Sequence, residues 1–161
     1  MPQATGRLTK NRFWGCVLYS DHHSDFIFSF LISTPTSEET LASKLAYERV
    51  ASAHGVKVKA YHADNLRFND SNFRRSCVAA GQQITFCGVG AHHQNAIAEA
   101  KIKQISYGAR TILLQAKRKW PNVIDASLWP FAVQCIVNRH NRLSLNEDGL
   151  SPLERFSRTT D

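Results

Sequence analysis

The chain has 161 residues, 43% hydrophobic and 20% charged, which suits a single globular domain and is too short for a second full one. No apolar run approaches the ~20 residues that cross a bilayer, and the start MPQATGRLTKNR has no apolar secretory core. No membrane partner is therefore expected, and the expected home is the cytoplasm or nucleus. Lys and Arg outnumber Asp and Glu by 20 to 13, a net charge of +7, a balance that favours a polyanion such as nucleic acid.

Residues 1–11 read as a tail. Arg12 to Tyr19 (RFWGCVLY) mixes aromatic and apolar residues and reads as a strand ending in the polar turn 20–25. Phe26 to Ile32 (FIFSFLI) is a nearly continuous apolar run of strand length, the pattern of a strand covered on both faces. The two suggest an antiparallel hairpin. Thr36 and Glu39, after Pro35, have the spacing of a capping box and predict a helix to about His54. Leu41, Leu45 and Val50 would form its apolar side, and Gly55 its stop. Val56 to Ala63 alternates apolar and basic residues, the period of a half-buried strand.

A loop over 65–69 leads to a short helix capped by Asp70 or Ser71 and ending near Ala80, with Gly81 beyond. Gln83 to Cys87 reads as another strand. From about Asn95 to Trp120, Ile97, Ile102, Ile105, Ala109, Ile112 and Ala116 recur at helical spacing and predict one long amphipathic helix, ended by Pro121. Ser127 to Leu143 predicts another, with Pro130 in its first turn. Residues 144–161 read as a polar, irregular tail. The order is that of an α/β fold with a mixed sheet, because the hairpin is antiparallel and the later crossovers favour parallel pairing.

The four cysteines, Cys16, Cys77, Cys87 and Cys135, have neither a Cys-x-x-Cys pair nor a histidine at zinc-site spacing, and are expected to be buried reduced thiols. Trp14, Trp120 and Trp129 are expected in the core or an interface.

Three acids lie at element ends: Asp21 after the first strand, Asp64 after the third, and Glu99 near the start of the long helix. Such positions are where an α/β sheet gathers a site. Carboxylates converging from separate elements are what two-metal phosphodiester chemistry requires, and hard ions prefer their oxygens.

The segments Tyr19-Ser20-Asp21, Tyr61-His62-Ala63-Asp64-Asn65, Phe86-Cys87-Gly88-Val89 and His92-His93-Gln94-Asn95-Ala96-Ile97-Ala98-Glu99 resemble the catalytic core of copia-type LTR-retrotransposon integrases. Ser127-Leu128-Trp129-Pro130 and Ser151-Pro152-Leu153-Glu154 extend the resemblance, which runs from Trp14 to Phe156. It implies an RNase H-like fold over 12–143, with a mixed central sheet of about five strands flanked by helices. It also implies a DDE triad of Asp21, Asp64 and Glu99 that binds Mg²⁺ or Mn²⁺, two ions in all. Asp25 is a neighbouring candidate for the first acid. DNA and other integrase chains would be the partners, and no small-molecule cofactor is implied.

Two motifs depart from the family. Asp64-Asn65-Leu66 stands where Asp-Asn-Gly is usual, and Asn95-Ala96-Ile97-Ala98-Glu99-Ala100 lacks the usual Gly and Arg. The chain also lacks the His-His-Cys-Cys zinc module of a full integrase, so it is expected to be part of a larger polyprotein.

His22-His23 and His92-His93 invite a metal reading, but adjacent histidines chelate one ion poorly. The resemblance puts His92, His93, Gln94 and Asn95 beside the site as DNA contacts; Asn95 also suits a helix N-cap. Lys101, Lys103, Arg110, Lys117, Arg118 and Lys119 lie on the long helix with Glu99 as its single acid after Ile97. Lys101, Lys103 and Arg110 are candidate phosphate contacts, whereas 117–119 equally complement the helix dipole. Two readings follow: an enzyme that processes DNA ends and transfers strands, and a decayed or domesticated module that binds DNA or protein without chemistry.

Overall fold

The computed structural model of the chain describes residues 12–64, 68–87 and 96–158. β1 (Gly15–Ser20) and β2 (Ile27–Ile32) pair antiparallel, from Gly15 opposite Ile32 to Ser20 opposite Ile27. Because side chains alternate across a strand, the hairpin has two apolar faces. Val17, Tyr19, Phe28, Phe30 and Ile32 enter one core with Tyr47, Tyr61, Phe73 and Phe156. Leu18 and Ile27 enter a second with Ile105, Val133, Ile136 and Val137. The continuous apolar run of β2 thus serves both cores.

Helix α1 (Ser37–Ala53) starts at Thr36, whose Oγ1 accepts from Glu39 N–H at 3.3 Å. Only half of the expected capping box forms, since the Glu39 carboxylate turns to Ser33 N–H at 2.9 Å. The buried stripe of α1 is also not the expected one. It consists of Thr40, Ser43, Lys44, Tyr47 and Ala51, while Leu45 is 47% exposed. The reason is that partners for the polar stripe arrive from elsewhere in the chain. Tyr47 stacks on Tyr19 with ring centroids 4.9 Å apart, and Ser43 Oγ lies 2.8 Å from the Tyr19 hydroxyl. Lys44 Nζ, fully buried, meets Glu48 Oε1 at 2.8 Å and Ser76 Oγ at 3.0 Å.

Glu48 Oε1 also accepts from the Tyr61 hydroxyl at 2.9 Å and from Gln82 Nε2 at 2.6 Å. Burial raises the Glu48 carboxyl, but these donors outweigh it and hold it below its ordinary value. The sign follows from linkage: a depressed carboxyl stabilises the fold above its unfolded-state pKa, and the contribution is lost as pH falls through the folded-state pKa. Acidification through and below the usual carboxylate range is expected to destabilise wild type more than Glu48→Gln. Urea midpoints across that range would show it; parallel pH profiles would contradict it.

β3 (Ala60–Ala63) and β4 (Gln83–Phe86) pair parallel, Ala60 opposite Gln83 and Ala63 opposite Phe86. The strand expected from Val56 begins only at Ala60, where β4 first offers a partner. Between them lies α2 (Ser71–Ala79), capped by Asp70, whose Oδ1 accepts from Asn72 and Phe73 N–H. The described residues hold two two-stranded sheets, β1-β2 and β3-β4, not one sheet of about five strands. Ile32 leads to Ser37 through four residues, which leaves no length for a strand between β2 and α1. β1 and β3 meet through the Tyr19 and Tyr61 rings, 6.1 Å apart edge to face, rather than through a ladder.

α3 (Ala96–Lys119) packs on α4 (Trp129–Leu143), which follows a single 3₁₀ turn, Ala126–Leu128. Gly108 marks a close approach of the two helices: a Cβ there would stand 3.0–3.1 Å from three Ile136 side-chain atoms. Of the expected apolar stripe, Ile105 and Ala109 are buried, but Ile97 is 53% exposed. Trp14 and Trp120 are exposed rather than in the core, and Lys119 Nζ lies 4.9 Å from the Trp120 ring centroid. Cys135, on the outer side of α4, is exposed and Cys16 only partly buried, so neither is the buried thiol expected.

The tail from 144 is not irregular throughout. It contains α5 (Pro152–Arg158). Ser151 and Glu154 form a full capping box: Ser151 N–H and Oγ–H both donate to Glu154 Oε2 at 2.8 Å, and Ser151 Oγ accepts from Glu154 N–H at 3.3 Å. Pro152 sits at the first helical position, which tolerates its missing N–H. Phe156, fully buried, stacks on Phe26 with centroids 4.3 Å apart.

Candidate active site

Asp21 is the first residue of the turn linking β1 to β2. Its N–H donates to Phe26 O at 2.8 Å, and its carbonyl accepts from Asp25 N–H at 3.0 Å. Ser24, completely buried, donates to Asp21 Oδ2 twice, from N–H at 2.8 Å and from Oγ–H at 2.6 Å. One carboxylate oxygen is therefore committed to the turn. Oδ1 has no hydrogen bond among the described residues. The carboxylate also acts on α1: the Tyr47 phenol is pushed above its ordinary range, first by burial and then by the charge of Asp21.

Asp25, at φ 64°, occupies the left-handed region that Asp tolerates better than most residues. Its Oδ2 lies 2.6 Å from Lys101 Nζ and 3.3 Å from His140 Nε2, and its carbonyl accepts from the same His140 nitrogen at 2.9 Å. The next residue of α4, Asn141, pairs with the backbone of Ile27 as a strand would: Oδ1 accepts from Ile27 N–H at 2.9 Å and Nδ2 donates to Ile27 O at 2.7 Å. Arg155 of α5 donates to the His23 carbonyl. Three helices thus hold the turn that carries Asp21. None of Ser24, His140, Asn141 or Arg155 stood out in the sequence, although a His-Asn pair on the otherwise apolar face of a helix is a usable signal of a buried polar contact.

Asp64 directly follows β3 and is partly buried; Glu99 is exposed in the first turn of α3. Asp21, Asp64 and Glu99 thus stand at the ends of β1 and β3 and the start of α3. As a donor set, three carboxylates suit a hard divalent ion. Among the described residues no group of three or more His, Cys, Asp or Glu side chains is close enough together to hold an ion, and carboxylates sharing a site repel one another.

Of the candidate DNA contacts, Lys103 and Arg110 are exposed on α3, with Lys103 Nζ 5.9 Å from the Tyr107 ring centroid. Lys101 is different, being held by Asp25 with its side chain only 17% exposed. His92, His93, Gln94 and Asn95 lie outside the described residues, as does Leu66. His22 and His23 are exposed. A cysteine–histidine contact escaped the sequence: the parallel pairing of β3 and β4 brings Cys87 Sγ to 3.4 Å from His62 Nε2, while His62 Nδ1 meets Thr85 Oγ1 at 2.8 Å.

No family model matches the chain, and no curated protein does. Solved structures do. The HTLV-2 integrase catalytic core domain in complex with magnesium is similar in its trimeric form with a TM-score of 0.57 at 15% identity, over 88% of this chain and 92% of that one. Its dimeric form gives 0.57 at 14%, over 88% and 91%. A chain of the simian T-cell lymphotropic virus intasome in complex with PP2A regulatory subunit B56 gamma gives 0.64 at 17%, over 94% of this chain and 51% of that one. The chain has the fold of an integrase catalytic core.

Proposed function

We propose that the chain is the catalytic core of a copia-type retrotransposon integrase, which processes DNA ends and joins them to a target strand. The observation that carries this reading is the coincidence of an integrase-core fold with carboxylates at the ends of β1 and β3 and at the start of α3. Asp21, Asp64 and Glu99 would hold Mg²⁺ or Mn²⁺, two ions as such chemistry commonly uses. When bound, the ions supply charge neutralisation at the attacking and leaving oxygens of a phosphodiester. The protein's own contribution is to fix the acids. Ser24 aims the Asp21 carboxylate and leaves Oδ1 open, and the start of α3 presents Glu99.

DNA is the proposed substrate and other copies of the chain the proposed partners, in keeping with likenesses that occur as dimeric and trimeric forms and as an intasome. Phosphate contact falls to the exposed cations Lys103 and Arg110, with His92, His93, Gln94 and Asn95 as further contacts. The test is Mg²⁺-dependent strand joining on a branched DNA substrate, alongside DNA binding measured across salt concentrations. Lys103→Ala with Arg110→Ala is expected to weaken binding similarly for unrelated sequences and to reduce the salt slope by about two, one per phosphate contact. An unchanged slope would remove this helix face from the DNA track.

A further inference from the structure

We propose that Asp25, Lys101 and His140 form a brace that sets the turn carrying Asp21 relative to the helical turn carrying Glu99, which makes Asp25 and Lys101 positioning residues of the site. The consequence for metal binding rests on the integrase reading; the brace itself does not.

The geometry runs through one carboxylate. Lys101 follows Glu99 by two residues on α3, and its Nζ reaches 2.6 Å from Asp25 Oδ2 across 76 positions of sequence. Asp25 in turn donates its N–H to the Asp21 carbonyl at 3.0 Å. The ion pair therefore connects the segments bearing two of the three proposed ligands. His140 closes the arrangement from α4. Its Nε2–H donates to the Asp25 carbonyl at 2.9 Å and lies 3.3 Å from Oδ2, while Nδ1 lies 3.4 Å from Ser144 Oγ. His140 is 6% exposed, while the Asp25 side chain is 39% exposed, so the brace runs from the interior out to the surface turn. The left-handed backbone of Asp25, at φ 64°, also has a purpose in this arrangement, since one residue must present its carbonyl to His140 and its carboxylate to both partners.

The brace separates the roles of the two neighbouring acids. Asp25 Oδ2 is committed to the Lys101 cation and to His140, whereas Asp21 Oδ2 meets the neutral Ser24 and its carboxylate keeps its charge for other partners. It also separates the lysines of α3: Lys101 holds the site together, while Lys103 faces solvent.

The test uses the full chain. Lys101→Met keeps the length and apolar stem of the side chain and removes the charge. Its thermal midpoint is expected to stay within a few degrees of wild type. Its affinity for Mn²⁺ in calorimetry should fall about tenfold or more, as when a group that orients metal ligands is lost. Amide exchange should quicken together in residues 21–26 and 98–102, with β1, β2 and α1 unchanged. Asp25→Asn, which tolerates the same backbone conformation, should match it, and Lys101→Arg should restore both readouts. Exchange that quickens in only one segment, or in neither, overturns the brace. Coupled exchange with unaltered Mn²⁺ affinity overturns the positioning role. If wild type binds no Mn²⁺, the integrase reading fails while the exchange comparison still decides the brace.

Discussion

Asp64→Asn is expected to abolish joining of a DNA end to a target strand while leaving DNA affinity within about twofold of wild type, because affinity resides in cation–phosphate contacts. The substitution preserves shape and removes one anionic oxygen donor. A bound divalent ion contributes several kcal/mol to phosphodiester chemistry, so the loss in rate is expected to be on the order of a thousandfold or more. Joining assays and DNA titrations on the same preparation separate the two effects. If wild type is itself inert, the triple variant Leu66→Gly, Ala96→Gly, Ala100→Arg tests for a lapsed site. The glycines return backbone freedom near Asp64 and Glu99, and the arginine returns a cation beside the substrate. Recovered joining supports an integrase that decayed. Continued inactivity, with no metal binding in either form, rejects the catalytic reading and favours a binding module.

Phe156→Ala is expected to destabilise the fold by about 3–5 kcal/mol, the range for removing a buried aromatic ring. Phe156 is completely buried, stacks on Phe26 at the end of the Asp21 turn, and touches His54 edge to face. Against a total stability of about 5–15 kcal/mol for a domain, the loss would shift the urea midpoint markedly at a nearly constant slope. A change below about 1 kcal/mol, the level of an ordinary surface substitution, would mean that α5 is an appendage and not part of the core. Unlike Asp64→Asn, this variant should lose joining and binding together as it unfolds. The contrast distinguishes a chemical defect from a structural one.

Several features were legible in the sequence because their causes are local. Asp70 caps α2 by accepting from residues two and three positions ahead, and the apolar spacing of α3 survives in Ile105 and Ala109. The cause of α5 is equally local, since Ser151 and Glu154 have capping-box spacing and Pro152 the right position, although the polar composition of the tail reads as irregular. The three acids at element ends could also be read directly, since each follows or begins an apolar pattern that stops.

What the tertiary structure alone decided was set by partners distant in sequence. Capping and amphipathic periodicity depend on residues three or four apart, so the sequence by itself determined where helices begin and which segments extend. It could not determine which strands would share a ladder, because register depends on how the cores assemble; β1 and β3 meet through tyrosine rings instead. Nor could it orient α1, whose inward stripe is polar because Tyr19, Tyr61, Ser76 and Gln82 arrive from other elements to satisfy that face and its network. The support of Asp21 is of the same kind. Asn141 reaches Ile27 across 114 positions and His140 reaches Asp25 across 115. A buried polar group is stabilised only where its partner is present, and the packing of α4 against the hairpin is what brings those partners together.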